Sequence, residues 1–370
     1  MKFTCEKSVL ISAINTVSRA AAAKSPIAAL EGILIEAGMG SNVQLTGYDL
    51  KKGIYTNIDA EIAESGSIVL GAKIFGDIVR SLPSGMVTVK NTDGLNVTIS
   101  CEKSEFSIVG TDFQDYPELP GVDGSQSFFL PQNKLGEMIR ETLFAVSENE
   151  ARPIYTGALF ELAGNTATIV AIDGYRLALR REEIEPVKFD CSFVVPGKAL
   201  SDLEKLCADS DETVGIALGN KHISFTIGRT VLVSRRLDGD FLNYHKTVPS
   251  SFNVTVTADR AQLQHAIERV SLIIDDKIKN PVRCTFSQNC VFLTCTTSVG
   301  KAEDVCFLEG DGGNVEIGFN NRYLLDALKA APAEEICIGL NTGSSPCVIS
   351  PTDGSEKFLY MILPVRLRAE

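Results

Sequence analysis

Three times along the chain, a short alternating run leads into apolar residues at helical spacing. Phe3-Thr4-Cys5 precedes Leu10, Ala13, Ile14 and Val17. Phe128-Phe129-Leu130 precedes Leu135, Met138, Ile139 and Leu143, and Val254-Thr255-Val256 precedes Leu263, Ala266, Ile267 and Val270. Steps of three and four place each apolar set on one side of a helix. Ser8 is the expected N-cap of the first helix, since its hydroxyl can accept a free backbone N–H.

Each third then repeats the theme with a second strand and helix. Residues 67–70 lead into 72–82, 192–195 into 198–206, and 315–318 into 321–328. An aspartate recurs in these helices at Asp77, Asp202 and Asp326, intervals of 125 and 124 residues. Alternating strands follow, such as Val87-Thr88-Val89, His222-Ile223-Ser224-Phe225 and Leu359-Tyr360-Met361-Ile362, which predicts sheets with one wet and one packed face. The first two units end alike, in Asp112-Phe113-Gln114-Asp115-Tyr116 and Asp240-Phe241-Leu242-Asn243-Tyr244. The turn-rich segments 117–124 and 248–251 read as linkers. The fold class is therefore α+β: three similar domains over 1–122, 127–248 and 252–370, each with two helices packed on antiparallel sheet.

Composition narrows the function. The chain has 370 residues and is 44% apolar and 22% charged, an ordinary balance for packed cores. No stretch approaches the roughly 20 apolar residues that span a bilayer, and the N-terminus lacks the pattern of a signal peptide, which predicts a cytoplasmic protein. Ten cysteines in such a chain are expected to be reduced and packed. The spacing of Cys284, Cys290 and Cys295 fits no common zinc ribbon, and Cys295 reads as a packed strand residue. A formal charge of −12 argues, taken alone, against nucleic-acid binding.

Catalytic signatures are missing from the sequence. There is no phosphate loop, no Gly-x-Gly-x-x-Gly and no Gly-x-Ser-x-Gly. Of the three histidines, His222 falls in an alternating strand and His265 on a helix; the third is His245. Asp173-Gly174 reads as a tight turn between strands, glycine there accepting a positive φ. The chain is expected to be no enzyme and to need no metal or cofactor. The rivals are a hydrolase with loop carboxylates, for which no set recurs at acid–base spacing, and a scaffold that binds only proteins.

The repeat framework carries Ala171-Ile172-Asp173-Gly174-Tyr175-Arg176-Leu177-Ala178, Glu316-Ile317-Gly318-Phe319-Asn320, and Tyr360-Met361-Ile362-Leu363-Pro364-Val365-Arg366-Leu367. With these stretches in this order, the whole chain resembles the bacterial β sliding clamp family, the processivity subunit of DNA polymerase III. The resemblance implies a head-to-tail homodimer, a ring of six like domains that encircles duplex DNA without reading sequence, with helices lining the hole. The DNA-facing cations would be Arg19, Lys24, Lys73, Arg80, Lys134, Arg140, Arg152, Lys198, Lys205, Arg322 and Lys329. Their placement answers the charge objection, because acidity would be left to the outside.

The same resemblance implies a pocket for short partner peptides between the second and third domains. It would include Tyr155, Ile172, Gly174, Tyr175, Arg176, Leu177, Leu242, Lys246, Ile278, Asn320, Tyr323, Met361, Ile362, Leu363, Pro364, Val365 and Arg366. Implied partners are the polymerase III alpha subunit, the clamp loader, and other polymerases and repair proteins. Ile172 stands where the family often has threonine, Leu242 where it has proline and Lys246 where it has arginine, which changes the peptide preference. Arg368-Ala369-Glu370 extend past the usual Arg-Leu ending. The ring interface would join Ile74, Ile78, Phe106 and Ile108 of one subunit to Leu272 and Ile273 of the other. Ile74 replaces a frequent basic residue, so this interface is expected to be the more apolar.

Overall fold

The computed structural model describes residues 1–38, 40–124, 126–187, 189–275 and 280–367. Among them are six α-helices, two per repeat: α1 (Lys7–Val17), α2 (Ala72–Ser81), α3 (Gln132–Arg140), α4 (Gly197–Leu206), α5 (Arg260–Ser271) and α6 (Asn321–Ala330). Each is amphipathic as the spacing predicts. Leu10, Ala13, Ile14 and Val17 are buried, as are Leu263, Ala266, Ile267 and Val270.

Two helix ends differ from the sequence reading. The strand Lys2–Glu6 runs straight into α1, so Glu6 rather than Ser8 is the N-cap, and the Ser8 hydroxyl donates to the Glu6 carboxylate (3.2 Å). Leu143 lies beyond α3, in a single 3-10 turn. The Thr142 hydroxyl there donates back to the Met138 carbonyl (2.7 Å), a local bond that competes with helix continuation.

The chain forms two compact units, residues 1–135 with 202–236, and 136–201 with 237–370. In the first, a five-stranded antiparallel sheet ends on the edge strand Ser104–Val109. An eight-stranded sheet joins repeats one and two through Thr230–Arg235 against Lys52–Asp59, with Leu232 opposite Ile54. In the second unit, a ten-stranded sheet joins repeats two and three through Phe358–Ile362 against Arg176–Glu183, with Met361 opposite Leu177. Its last strands are the long pair Val282–Thr296 and Lys301–Phe319. Their register breaks around Gln288, where Asn289 is left-handed (φ 60°). In all three repeats the chain then returns to bridge its own sheet: Val69 with Thr111, Val194 with Leu237, and Gly318 with Val365.

One buried charge cluster had no sequence signature. Arg180 lies on an inward strand position of the second unit, 1% exposed, and donates to Glu141 (2.6 Å) and Glu182 (2.5 Å). Burial pushes the Glu141 carboxyl up, and Arg180 pulls it part of the way back. Arg180→Ala strands that carboxylate in a poorly solvated place. It is expected to cost roughly 3–5 kcal/mol in a denaturant titration, with Arg180→Met/Glu141→Leu recovering most of the loss.

Candidate functional site

The Asp-Gly segment is a turn between the strands Thr166–Ile172 and Arg176–Glu183, and Gly174 takes φ +93°. Asp173 organises it. Its Oδ1 accepts the backbone N–H groups of Tyr175 (2.9 Å) and Arg176 (3.1 Å), and its Oδ2 accepts Arg176 Nε (2.9 Å). The other end of the guanidinium donates through Nη1 to Asp326 on α6 (2.6 Å). The guanidinium also lies over the Tyr323 ring at 4.5 Å and the Phe144 ring at 5.4 Å. Tyr323 stacks in turn with the exposed Tyr175 (6.0 Å between centroids). Arg176 is thus a buried strut with its hydrogen bonds spent inside the protein, and it holds Tyr175 out toward solvent.

An apolar cluster lies beside this turn. Leu159, Val170, Ile172, Leu177, Leu179, Val194, Tyr244, Val348 and Met361 form its buried part. Ile154, Phe241, Val248 and Leu363 pack against it half-exposed, so apolar surface reaches the outside here. Tyr155 meets Phe241 edge-on (5.5 Å). The Tyr244 hydroxyl donates to Glu161 (2.5 Å), and burial keeps it protonated. The Leu363 N–H donates to the Tyr175 carbonyl (2.9 Å), fixing the last segment of the chain beside the turn.

Of the residues read from the sequence, Ile172, Leu177 and Met361 belong to the buried part of this cluster, and Ile362 is buried next to Met361 in the same strand. Tyr155, Tyr175, Leu242, Lys246, Leu363, Pro364, Val365 and Arg366 have exposed or half-exposed side chains. Asn320 caps α6 by accepting the Arg322 N–H (3.0 Å), and Gly174 has open space where a side chain would sit. Ile278 and the extension Arg368-Ala369-Glu370 lie outside the described residues. The sequence reading passed over Phe241, Ile154 and Phe144, as well as Asp326 as the partner of Arg176. For Asp326 a signal existed, its recurrence in the second helix of each repeat.

The candidate cations are mostly helix-borne. Lys73 and Arg80 on α2, Arg140 on α3, Lys198 and Lys205 on α4, and Arg322 and Lys329 on α6 are exposed; Lys134 is half-buried. Arg19 and Lys24 follow α1 in exposed loop, and Arg152 precedes the turn Pro153–Thr156. Several have acidic neighbours: Arg80 with Asp77 (2.9 Å), Arg322 with Asp326 (4.0 Å), and Lys329 with Glu268 (3.3 Å). Among the proposed contact residues, Ile74, Phe106 and Leu272 are exposed, Ile108 and Ile273 half-exposed, and Ile78 buried on the inner face of α2.

Sequence models of the DNA polymerase III beta subunit match along the chain. The N-terminal domain matches residues 1–120, the central domain 129–243 and the C-terminal domain 245–366. A beta sliding clamp of Synechocystis sp. is 34% identical, the match covering 99% of this chain and all of that one. The beta sliding clamp of Staphylococcus aureus is 31% identical, with 99% of each covered. The DNA polymerase sliding clamp of Bacillus subtilis superposes with a TM-score of 0.95 at 30% identity over the full length of both chains. A sliding clamp of Pseudomonas aeruginosa solved with bound griselimycin gives 0.94 at 29%, covering 99% of this chain and all of that one.

The strut makes a stability prediction. Arg176→Ala leaves Asp173 and Asp326 without their shared cation and is expected to cost roughly 3 kcal/mol in a denaturant titration. Arg176→Lys should recover only part of this, because an ammonium cannot bridge both carboxylates in the plane of the guanidinium.

Proposed function

Since the chain belongs to the DNA polymerase III beta subunit family, we propose that it is a processivity clamp: two copies close head to tail into a ring around duplex DNA. The observation that carries this reading is a junction built twice within one chain. At each junction the last strand of one repeat pairs with a strand of the repeat before it. The pair Thr230–Arg235 and Lys52–Asp59 makes one, and Phe358–Ile362 with Arg176–Glu183 makes the other. Each receiving strand opens on a cation, and that cation meets the recurring aspartate of the later repeat. Lys52 pairs with Asp202 (2.9 Å), and Arg176 pairs with Asp326 (2.6 Å).

One last strand remains uncovered. Ser104–Val109 is the corresponding last strand of repeat one, and it is an edge. Leu232 and Tyr360 are buried in its counterparts, while Phe106 and Val109 are exposed here. In repeat three the turn register sets Gly300 where Lys52 and Arg176 stand, Lys301 pairs with Glu303 (2.6 Å) and Asp77 with Arg80 (2.9 Å), so here the strand edge and not a cation–aspartate pair makes the contact. An unpaired edge with apolar side chains calls for a strand to cover it. Head-to-tail contacts of one kind close when the rotation permits, so a second copy supplies the missing strand. Ile74, Ile108, Leu272 and Ile273 then flank the new contact. Buried Ile78 supports it from beneath.

In the ring, the exposed helix cations meet phosphates. Their acidic neighbours keep each contact weak, and contacts that touch no base edge allow sliding. Residence comes from closure and not from affinity. The apolar cluster beside Tyr175 takes a short aliphatic and aromatic segment of the alpha subunit, the loader or a repair protein. A polymerase held this way works at high effective concentration at the primer end. The role calls for no catalytic group and no cofactor, and it places the protein in the cytoplasm with the DNA.

Loaded by a clamp loader with ATP onto nicked circular DNA, the protein is expected to stay bound through gel filtration and to run off once the circle is cut. Equal retention on linear DNA would refute topological binding. The open edge predicts the effect of a charge placed on it. Phe106→Asp is expected to weaken the dimer at least about tenfold by sedimentation, with an unchanged unfolding midpoint for the monomer. An unchanged dimer in this variant would show that the edge strand Ser104–Val109 is not the contact.

A further inference from the structure

The threefold repeat lets one surface be compared at three places in the same molecule. In each repeat, two neighbouring antiparallel strands place four side chains on the sheet face opposite the helices. In repeat one these are Gln44 opposite Asn57 and Asn42 opposite Asp59. In repeat two they are Thr168 opposite Arg181 and Thr166 opposite Glu183. In repeat three they are Phe292 opposite Val305 and Cys290 opposite Phe307. Two repeats carry polar or charged groups there; the third carries apolar ones.

These apolar groups are in solvent. Phe292 is 50% exposed, Val305 46% and Phe307 76%. The opposite face of the same strands supplies the core, through Val291, Leu293, Cys306 and Leu308. Alternation therefore fixes which face each residue takes, and folding gains nothing from aromatics on the outer one. Polar residues serve that position twice in this chain, so the third use is not a demand of the fold. Scattered exposed apolar residues need no cause, but a contiguous group on one face marks a contact surface.

Its surroundings restrict the partner. Glu309 lies on the same strand and face one step beyond Phe307, Asp311 is exposed two residues further on, and on the other side Glu303 pairs with Lys301 (2.6 Å), which leaves the acidic end at Glu309 and Asp311. The whole chain carries −12. A second copy meeting this face would bring the same acids against themselves. We propose that the outer face around Phe292, Val305 and Phe307 is a docking surface for a protein segment that places basic residues beside large apolar ones, separate from the cluster at Tyr244 and Met361.

The probe is a short fluorescein-labelled peptide alternating lysine with leucine, its control the same peptide with glutamate for lysine, and the readout anisotropy with the full-length protein. The variant Phe292→Gln/Phe307→Asp installs the side chains that repeat one already holds at the matching positions, and an unchanged unfolding midpoint checks its fold. The lysine peptide is expected to bind at least about tenfold more tightly to the parent than to the variant, and more tightly than the glutamate peptide. Equal binding by variant and parent, or by both peptides, overturns the proposal. So does loss of binding in Phe241→Ser alone, which would place the peptide on the other cluster. Association of the parent beyond a dimer that the variant abolishes would give the face to a second copy and overturn the proposal too.

Discussion

The structure rests on one constraint: a strand at the edge of a sheet must be covered. An open edge offers a row of unpaired N–H and C=O groups, and this chain closes two such edges by laying the last strand of one repeat on the repeat before it. The three repeats are therefore joined through their sheets. Sheets run across repeat boundaries, and the two compact units each hold parts of the second repeat. Each junction adds a charge pair at the mouth of the receiving strand, Lys52 with Asp202 and Arg176 with Asp326. Strand pairing gives the join its strength. The ion pair fixes its register, because a slip of one residue would turn the cation to the other face.

The same constraint shapes the candidate site. The junction between repeats two and three sets Leu177 against Met361, so apolar side chains from both repeats form one floor. The strut that closes the junction, Arg176, also holds the Asp173 turn and the Tyr175–Tyr323 stack at the rim. Floor and rim are thus by-products of joining two repeats. The segment from Leu363 to Leu367 crosses beside the turn because the chain must return to bridge Gly318 through Val365.

Much of this was legible in the sequence, and the boundary of legibility is physical. Helix faces repeat every three or four residues and strand faces every two, so the six helices and the inward residues could be read directly. The recurring Asp77, Asp202 and Asp326 were visible as a spacing, but their partners were not, since pairing depends on which strand of another repeat arrives beside them. Ile172 and Leu177 were read as pocket residues, and the structure sets them beneath the surface. A local pattern cannot tell a floor from a wall when both are apolar. Arg180 left no trace at all: a buried arginine looks like a surface one until Glu141 and Glu182 are seen around it.

The acidity of the chain then follows from its mode of holding. A protein that binds DNA by affinity alone needs a strong basic surface, because every released counterion adds to the binding. A ring that holds by closure needs only enough positive charge to keep the duplex centred, and stronger contacts would act as brakes. Arg80 is paired with Asp77 and Lys329 with Glu268, so neither is a bare charge. On this reasoning the net −12 that argues, taken alone, against nucleic acid is what a sliding ring can tolerate and a gripping protein cannot.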